Sequence, residues 1–273
     1  MRKKTIGKCA LCGRIGELSF EHIPPKAAFN SAPARPVSGE ALFSEKGMAE
    51  DRMPWDTEGL RYVNQQQGMG RYSLCSECNN NTGSWYGDSY VELARATHFA
   101  MVNNDFQDSE GIGFKDIYPL RFIKQVLSMF CSINSNNSKL DSIRRFVLER
   151  EAMGLDRSKY KLCMYFTKSN LMKYSGPTAV IRGLGAEYEV MAMSEITAYP
   201  FGFILYFDPT ETWKYHGTDI MACADCSYDE KADIILPWNI LEMNDHIPEY
   251  FRSKDEIREC ILKNQRYRDE LNI

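Results

Sequence analysis

Six of the nine cysteines fall into three Cys-x-x-Cys pairs, Cys9/Cys12, Cys75/Cys78 and Cys223/Cys226. An odd total, with no secretory leader in view, argues against a disulfide framework and for metal. Cys9, Cys12, Cys75 and Cys78 suit one tetrahedral zinc ion, each pair presenting two thiolates from a tight knuckle. A site closed by four thiolates has no open position for water or substrate, so such a zinc is structural. Residues able to do chemistry follow each knuckle closely. Glu21-His22 comes after the first, and Asn79-Asn80-Asn81 directly after the second.

These residues stand in a recognisable order: Cys9-Ala10-Leu11-Cys12, then Glu21-His22-Ile23-Pro24-Pro25, then Cys75-Ser76-Glu77-Cys78-Asn79. In that order the chain resembles the HNH endonucleases, in particular those whose ββα-metal, treble-clef-like core is braced by a four-cysteine zinc site. The resemblance implies a metal-dependent phosphodiester hydrolase. His22 would be its general base, and Glu21 and Asn79 would hold one catalytic Mg²⁺ or Mn²⁺, with Asn80 in reserve if the register slips by one. The chemistry is consistent with this. Imidazole changes protonation near neutral pH, and carboxylate and amide oxygens are ligands that suit a hard divalent cation. A helix N-terminus at Asn79 favours an approaching phosphate. The chain departs from the family where many members place a further loop-anchoring Asn. Gly70 stands there, and the nearest upstream asparagine is Asn64.

Other readings stay open. Asn79, Asn80 or Asn81 could simply cap a helix, His22 could be an ordinary strand-end histidine, and Glu21 a surface carboxylate. The module as a whole could be a non-catalytic zinc-binding unit for nucleic acid or protein. A thiol oxidoreductase is a more distant alternative. Cys223 and Cys226, with His216 upstream and Cys260 downstream, lack the spacing of a second metal site. His98 reads as a core or surface histidine, Trp85, Tyr86 and Tyr90 read as core, with stacking of one of them on a base as the alternative, and Gly183-Leu184-Gly185 is too short for a phosphate loop.

The elements that must position these residues follow from periodicity. Leu18–Ile23 reads as a strand stopped by Pro24-Pro25. Residues 27–70 form a long insertion with a short strand near 60–63. A helix is expected over 82–103, with Tyr86, Tyr90, Leu93, Ala94, Thr97 and Met101 on one face. Further helices fit 118–134 and 139–151. From Tyr160 onward short strands are expected at 160–166, 178–181, 188–193, 201–207, 219–223 and 234–236, followed by an amphipathic helix at 253–269. The fold class is α+β: an N-terminal ββα-metal module over 1–105, then a helical connector and a larger strand-rich region over 106–273.

Composition bounds the rest. With 273 residues, 44 % hydrophobic and 26 % charged, the chain is an ordinary globular one. No apolar run approaches the ~20 residues that cross a bilayer, and no apolar signal core follows the basic start, so a cytoplasmic location and no membrane partner are expected. Net charge is −4, but the first 36 residues carry seven Lys and Arg against Glu17 and Glu21. A basic end on an acidic body can track phosphates locally. The expected partner is nucleic acid, DNA before RNA. A homodimer, an activating partner protein and a role in phage defence or mobile elements are in keeping with a regulated nuclease.

Overall fold

The computed structural model describes residues 4–49, 52–103, 109–184 and 187–271. Strands β1 (Ile6–Lys8) and β2 (Ile15–His22) pair antiparallel across the first Cys-x-x-Cys turn. Gly13 closes that turn with a φ of 74°, a conformation that suits glycine. The other edge of β2 pairs antiparallel with β3 (Gly70–Cys75), setting Leu18 opposite Cys75, Glu21 opposite Arg71 and His22 opposite Gly70. A bulge between Ser19 and Phe20 re-aims the last residues of β2. The strand begins earlier than Leu18 and ends at His22, one residue before the expected Ile23.

Between the strands of this hairpin lies the long insertion. It contains one helical turn, α1 (Gly39–Leu42), capped by the Ser38 hydroxyl. The strand expected near 60–63 is only a pair of isolated bridges, Val37 to Tyr62 and Ala34 to Gln65. The segment cannot bury one face, because Val63 is 63 % exposed and Arg61 lies in solvent.

β3 runs straight into a helix. α2 (Ser76–Thr82), a π-helical turn (Gly83–Gly87) and α3 (Asp88–Val102) follow without a break. The helix starts before residue 82 because Cys75 stays extended, with φ −67° and ψ 158°, and serves as the N-cap. The second Cys-x-x-Cys therefore straddles the first helical turn. The expected stripe from Tyr86 to Met101 is buried.

Helix α4 (Pro119–Ile133) is more than a connector. All of it except Arg121 is buried, including Lys124, whose ammonium donates to the Glu149 and Arg150 carbonyls at 2.6 and 3.0 Å. A helix covered all round belongs between layers rather than at a surface. It packs against the π-helical turn, α3 and α5 (Asp141–Leu148). Ahead of it, β4 (Gly111–Ile117) pairs antiparallel with the distant β10 (Ala232–Pro237).

The C-terminal half is built on an antiparallel sheet of order β6-β7-β8-β5-β9. Its strands are β5 (Tyr160–Phe166), β6 (Lys173–Leu184), β7 (Glu187–Ala198), β8 (Phe201–Phe207) and β9 (Thr218–Asp219). β8 is buried throughout: Phe201, Phe203, Leu205 and Phe207 join the large core, while Ile204 and Tyr206 join a smaller core on the other face. Past Asp219 the expected strand becomes a 3-10 turn over Met221–Asp225, because the Asp219 carboxylate accepts the Met221 N–H at 2.9 Å. A buried ion pair, Lys173 Nζ to Glu195 at 3.0 Å, sits beneath the segment that leads to α6 (Lys254–Leu271).

The fold is thus mixed α+β with several antiparallel sheets. The division expected at 105 and 106 lies outside the described residues, as does Gly185 of the Gly183-Leu184-Gly185 stretch. On either side of 105 the buried residues form one connected core, from Cys9 and Leu74 through Tyr90 and Phe122 to Phe203 and Leu236.

Candidate metal centre and hairpin site

The four cysteines of the two N-terminal knuckles converge. Among the described residues, Cys9, Cys12, Cys75 and Cys78 form a group whose sulfurs all lie within 4.8 Å of one another. Cys12 and Cys75 are 3.8 Å apart. Zinc–sulfur bonds of ~2.3 Å place tetrahedral sulfurs ~3.8 Å apart, so the cluster matches a Cys₄ zinc site in donor type and in size. Two N–H donors are aimed at the sulfurs of the cluster. Arg14 Nε points at Cys12 Sγ from 3.4 Å, and the Cys75 N–H at Cys9 Sγ from 3.3 Å. Arg14 is itself held by Glu77. Among the described residues the third pair joins no such group: Cys223, Cys226 and Cys260 are half-buried thiols, and His216 packs on Phe251 beside Arg182.

Glu21 is 5 % exposed, and among the described residues no hydrogen bond or ion pair reaches its carboxylate. Its cross-strand neighbour Arg71 turns away and donates to the Ile133 carbonyl at 3.3 Å. Burial alone pushes the Glu21 carboxyl up to about 8. An isolated buried carboxylate is strongly disfavoured unless a cation or a proton accompanies it. Glu21 is therefore not a surface carboxylate.

His22 lies on the opposite face of β2, its ring edge-on to Phe20 at 5.0 Å between centroids. Nε2 is 3.0 Å from the carbonyl oxygen of Gln67. A carbonyl can only accept, so Nε2 carries the proton and Nδ1 keeps the lone pair. The backbone thus fixes the tautomer that leaves one nitrogen able to take a proton.

Asn79, on the first turn of α2, does not cap the helix. Its Nδ2 donates to Ser19 Oγ at 3.0 Å and to the Phe20 carbonyl at 3.1 Å, tying the helix to β2 just before Glu21. With the nitrogen so engaged, Oδ1 is left without a partner among the described residues. Asn80 is exposed, and Asn79 is the asparagine that meets the hairpin. Tyr86 and Tyr90 are core residues, and the Tyr86 hydroxyl donates to the Val147 carbonyl at 2.8 Å. Trp85 is half-buried against the same core.

The loop that presents Gln67 is anchored by residues the sequence did not single out. The side-chain amide of Gln65 acts as a short strand. Its Oε1 accepts the Gly70 N–H and its Nε2 donates to the Gly70 carbonyl, both at 3.1 Å. Asn30, 2 % exposed, does the same for Met69, accepting its N–H at 2.6 Å and donating to its carbonyl at 2.8 Å. Asn30 also donates to the Pro24 carbonyl at 2.7 Å. Asn64 is exposed and takes no part. Position 70 could not carry an asparagine, since even a Cβ there would sit 2.1 Å from the Glu21 carbonyl oxygen. The available signal was the run Gln65-Gln66-Gln67 ahead of Gly68.

Comparison with protein-family models, with curated proteins and with solved structures yields no match to this chain. Among the described residues no helix is long and apolar enough to cross a membrane.

Proposed function

We propose that the chain is a zinc-braced, metal-dependent endonuclease of the HNH kind, acting on DNA in preference to RNA. The observation that carries the reading is Glu21, a buried carboxylate with no partner among the described residues, at the end of a strand whose next residue is a histidine of fixed tautomer. The strand–strand–helix order, with the Cys₄ cluster at its join, supports the same reading. Glu21 and Oδ1 of Asn79 are the donors this chain offers a hard cation, and both are oxygens, as Mg²⁺ or Mn²⁺ requires. Such an ion, when bound, would stabilise negative charge on the leaving oxygen. His22 takes a proton from the attacking water at Nδ1, while the Gln67 carbonyl steadies the resulting imidazolium through Nε2. Asn79 holds the helix and β2 in register while this happens. The basic first segment supplies phosphate contacts, and the acidic remainder suits a nuclease that a ligand, a second copy or a partner protein must license. Defence against phage and mobile-element biology are the settings where such a restrained cutter fits.

The test is cleavage of supercoiled plasmid and single-stranded DNA by the zinc-loaded chain with added Mg²⁺ or Mn²⁺, beside His22→Ala. Cutting that the variant loses supports the reading and assigns the base. Equal cutting by both means that the activity lies elsewhere. If neither cuts while one zinc per chain is retained, the second reading stands: a non-catalytic zinc module for nucleic acid or protein. In that case Glu21 is simply a protonated core residue.

A further inference from the structure

A cleft of about 790 Å³ lies between the long insertion and the start of β6. Its volume falls in the range of small-molecule sites, roughly 300–1,000 Å³. Three features of its walls point to one ligand chemistry.

The first is an aromatic platform. Phe29 lines the cleft, is 40 % exposed, and is held at a φ of 63°, an uncommon conformation for a residue with a side chain. Strain of this kind persists where the surroundings enforce it, and it clusters at ligand sites. Here the Phe29 ring rests on His98 at 4.7 Å and on Tyr199 at 5.7 Å, and His98 and Tyr199 are themselves joined by a 2.7 Å hydrogen bond. The platform is thus backed by two rings and open on its outer side.

The second feature is charge. The protein carries a net −4, yet no Asp or Glu lines this cleft among the described residues. Its cations are Arg35 and Lys173. Lys173 is committed to Glu195, whereas Arg35 is exposed, lies over the Tyr62 ring and makes no ion pair among the described residues. The third feature is an unused acceptor. His246 also lines the cleft, and its Nε2 is buried without a hydrogen-bond partner. Burial keeps this imidazole below its ordinary pKa, and the Pro54 carbonyl accepts from the other ring nitrogen, so Nε2 is the one with the lone pair.

We propose that this cleft binds a nucleotide, with the base on Phe29, an anionic phosphate at Arg35 and a base or sugar donor at His246. The site goes beyond the cleavage reading and does not depend on it. Base–ring stacking is indifferent to base identity, so the same chemistry can come from a free mononucleotide or from one residue of a nucleic-acid strand. Occupancy bears directly on the hairpin. Asn30 and Met69 form part of the cleft wall and also anchor the loop whose Gln67 carbonyl holds His22.

The test is equilibrium binding to the full zinc-loaded chain carrying His22→Ala, so that no probe is cut and failure of the cleavage reading leaves the result intact. The probes are AMP, adenosine and an eight-nucleotide single strand of thymidylate. The variants are Phe29→Gly, which relieves the left-handed backbone while removing the ring, and the surface change Arg35→Gln. AMP is expected to bind at least tenfold tighter than adenosine, and each variant to lose about tenfold for AMP, the size of one base–aromatic stack or one phosphate contact. Saturation by AMP, with the strand no tighter, identifies a free nucleotide as the occupant. A strand that binds more than tenfold tighter than AMP, and loses affinity in both variants, identifies a substrate strand. No binding of either probe at millimolar concentration, or binding that both variants leave unchanged while their melting temperatures match the parent, overturns the proposal.

Discussion

Replacing Glu21 by glutamine should stabilise the protein, and increasingly so as pH rises. The substitution keeps the buried volume and removes the titration. Burial raises the carboxyl from 4.5 to about 8 in the folded chain. Below the lower value the group is neutral in both folded and unfolded chains and costs nothing. Between the two values the unfolded chain releases the proton and the folded chain retains it, so folding loses about 1.36 kcal/mol per pH unit. Above about 8 both states are ionised and the loss stops growing. Over that interval the parent falls behind the glutamine variant by on the order of 4–5 kcal/mol. At roughly 2 °C per kcal/mol for a chain of this size, the gap in melting temperature should widen by about 7 °C between pH 5 and pH 8. The assay is a pair of thermal melts, parent and Glu21→Gln, each loaded with zinc and otherwise free of divalent ions, at one-unit steps of pH. Zinc–thiolate effects are common to both and cancel in the difference. Added Mn²⁺ should then raise the parent selectively at pH 8, because a cation at the carboxylate displaces the proton that burial imposes. A difference that stays flat with pH would refute the uncompensated burial of Glu21. Equal gains from Mn²⁺ in both proteins would refute its role as a ligand.

Cys78→Ser should lose the zinc and melt the β1–β2–β3 unit, read as zinc content by elemental analysis and as loss of protease resistance before residue 103. Gln65→Ala should lower kcat by about 10- to 100-fold with KM little changed, the usual scale for a group that acts by orienting another. Unaltered kcat would mean that Asn30 alone holds the loop. Glu195→Gln leaves Lys173 charged in a buried site, so urea unfolding should show a loss of about 3–5 kcal/mol, with zinc content unchanged.

Local signals made part of this molecule legible. The helical stripe from Tyr86 to Met101 and the apolar run Phe201–Phe207 each describe a face that must be buried, and each is buried. The two Cys-x-x-Cys spacings brought four sulfurs together across a separation of 63 positions, because each knuckle is a rigid local unit. What escaped is non-local or depends on single contacts. Gly111–Ile117 finds its strand partner more than a hundred residues later, and α4 reads as one apolar face until layers close on all its sides. The start of the long helix was set by Cys75 acting as N-cap, not by the apolar period that begins at residue 82.

The loop anchor shows most clearly why spacing alone misled. An asparagine was sought at position 70 or 64, but the hairpin closes so tightly that position 70 admits no side chain. Anchoring then falls to side-chain amides that reach positions 69 and 70 from elsewhere: Gln65 from five residues upstream and Asn30 from the far end of the insertion. Asn30 makes the insertion part of the site. It joins Pro24, which follows the His22 strand, to Met69, which precedes Gly70, so the insertion is pinned at both ends to the hairpin it interrupts. A shift of the Asn30 end is passed to Met69, two residues from the Gln67 carbonyl that holds His22 Nε2. Whatever the insertion binds on its other face is therefore one hydrogen bond away from the proposed base.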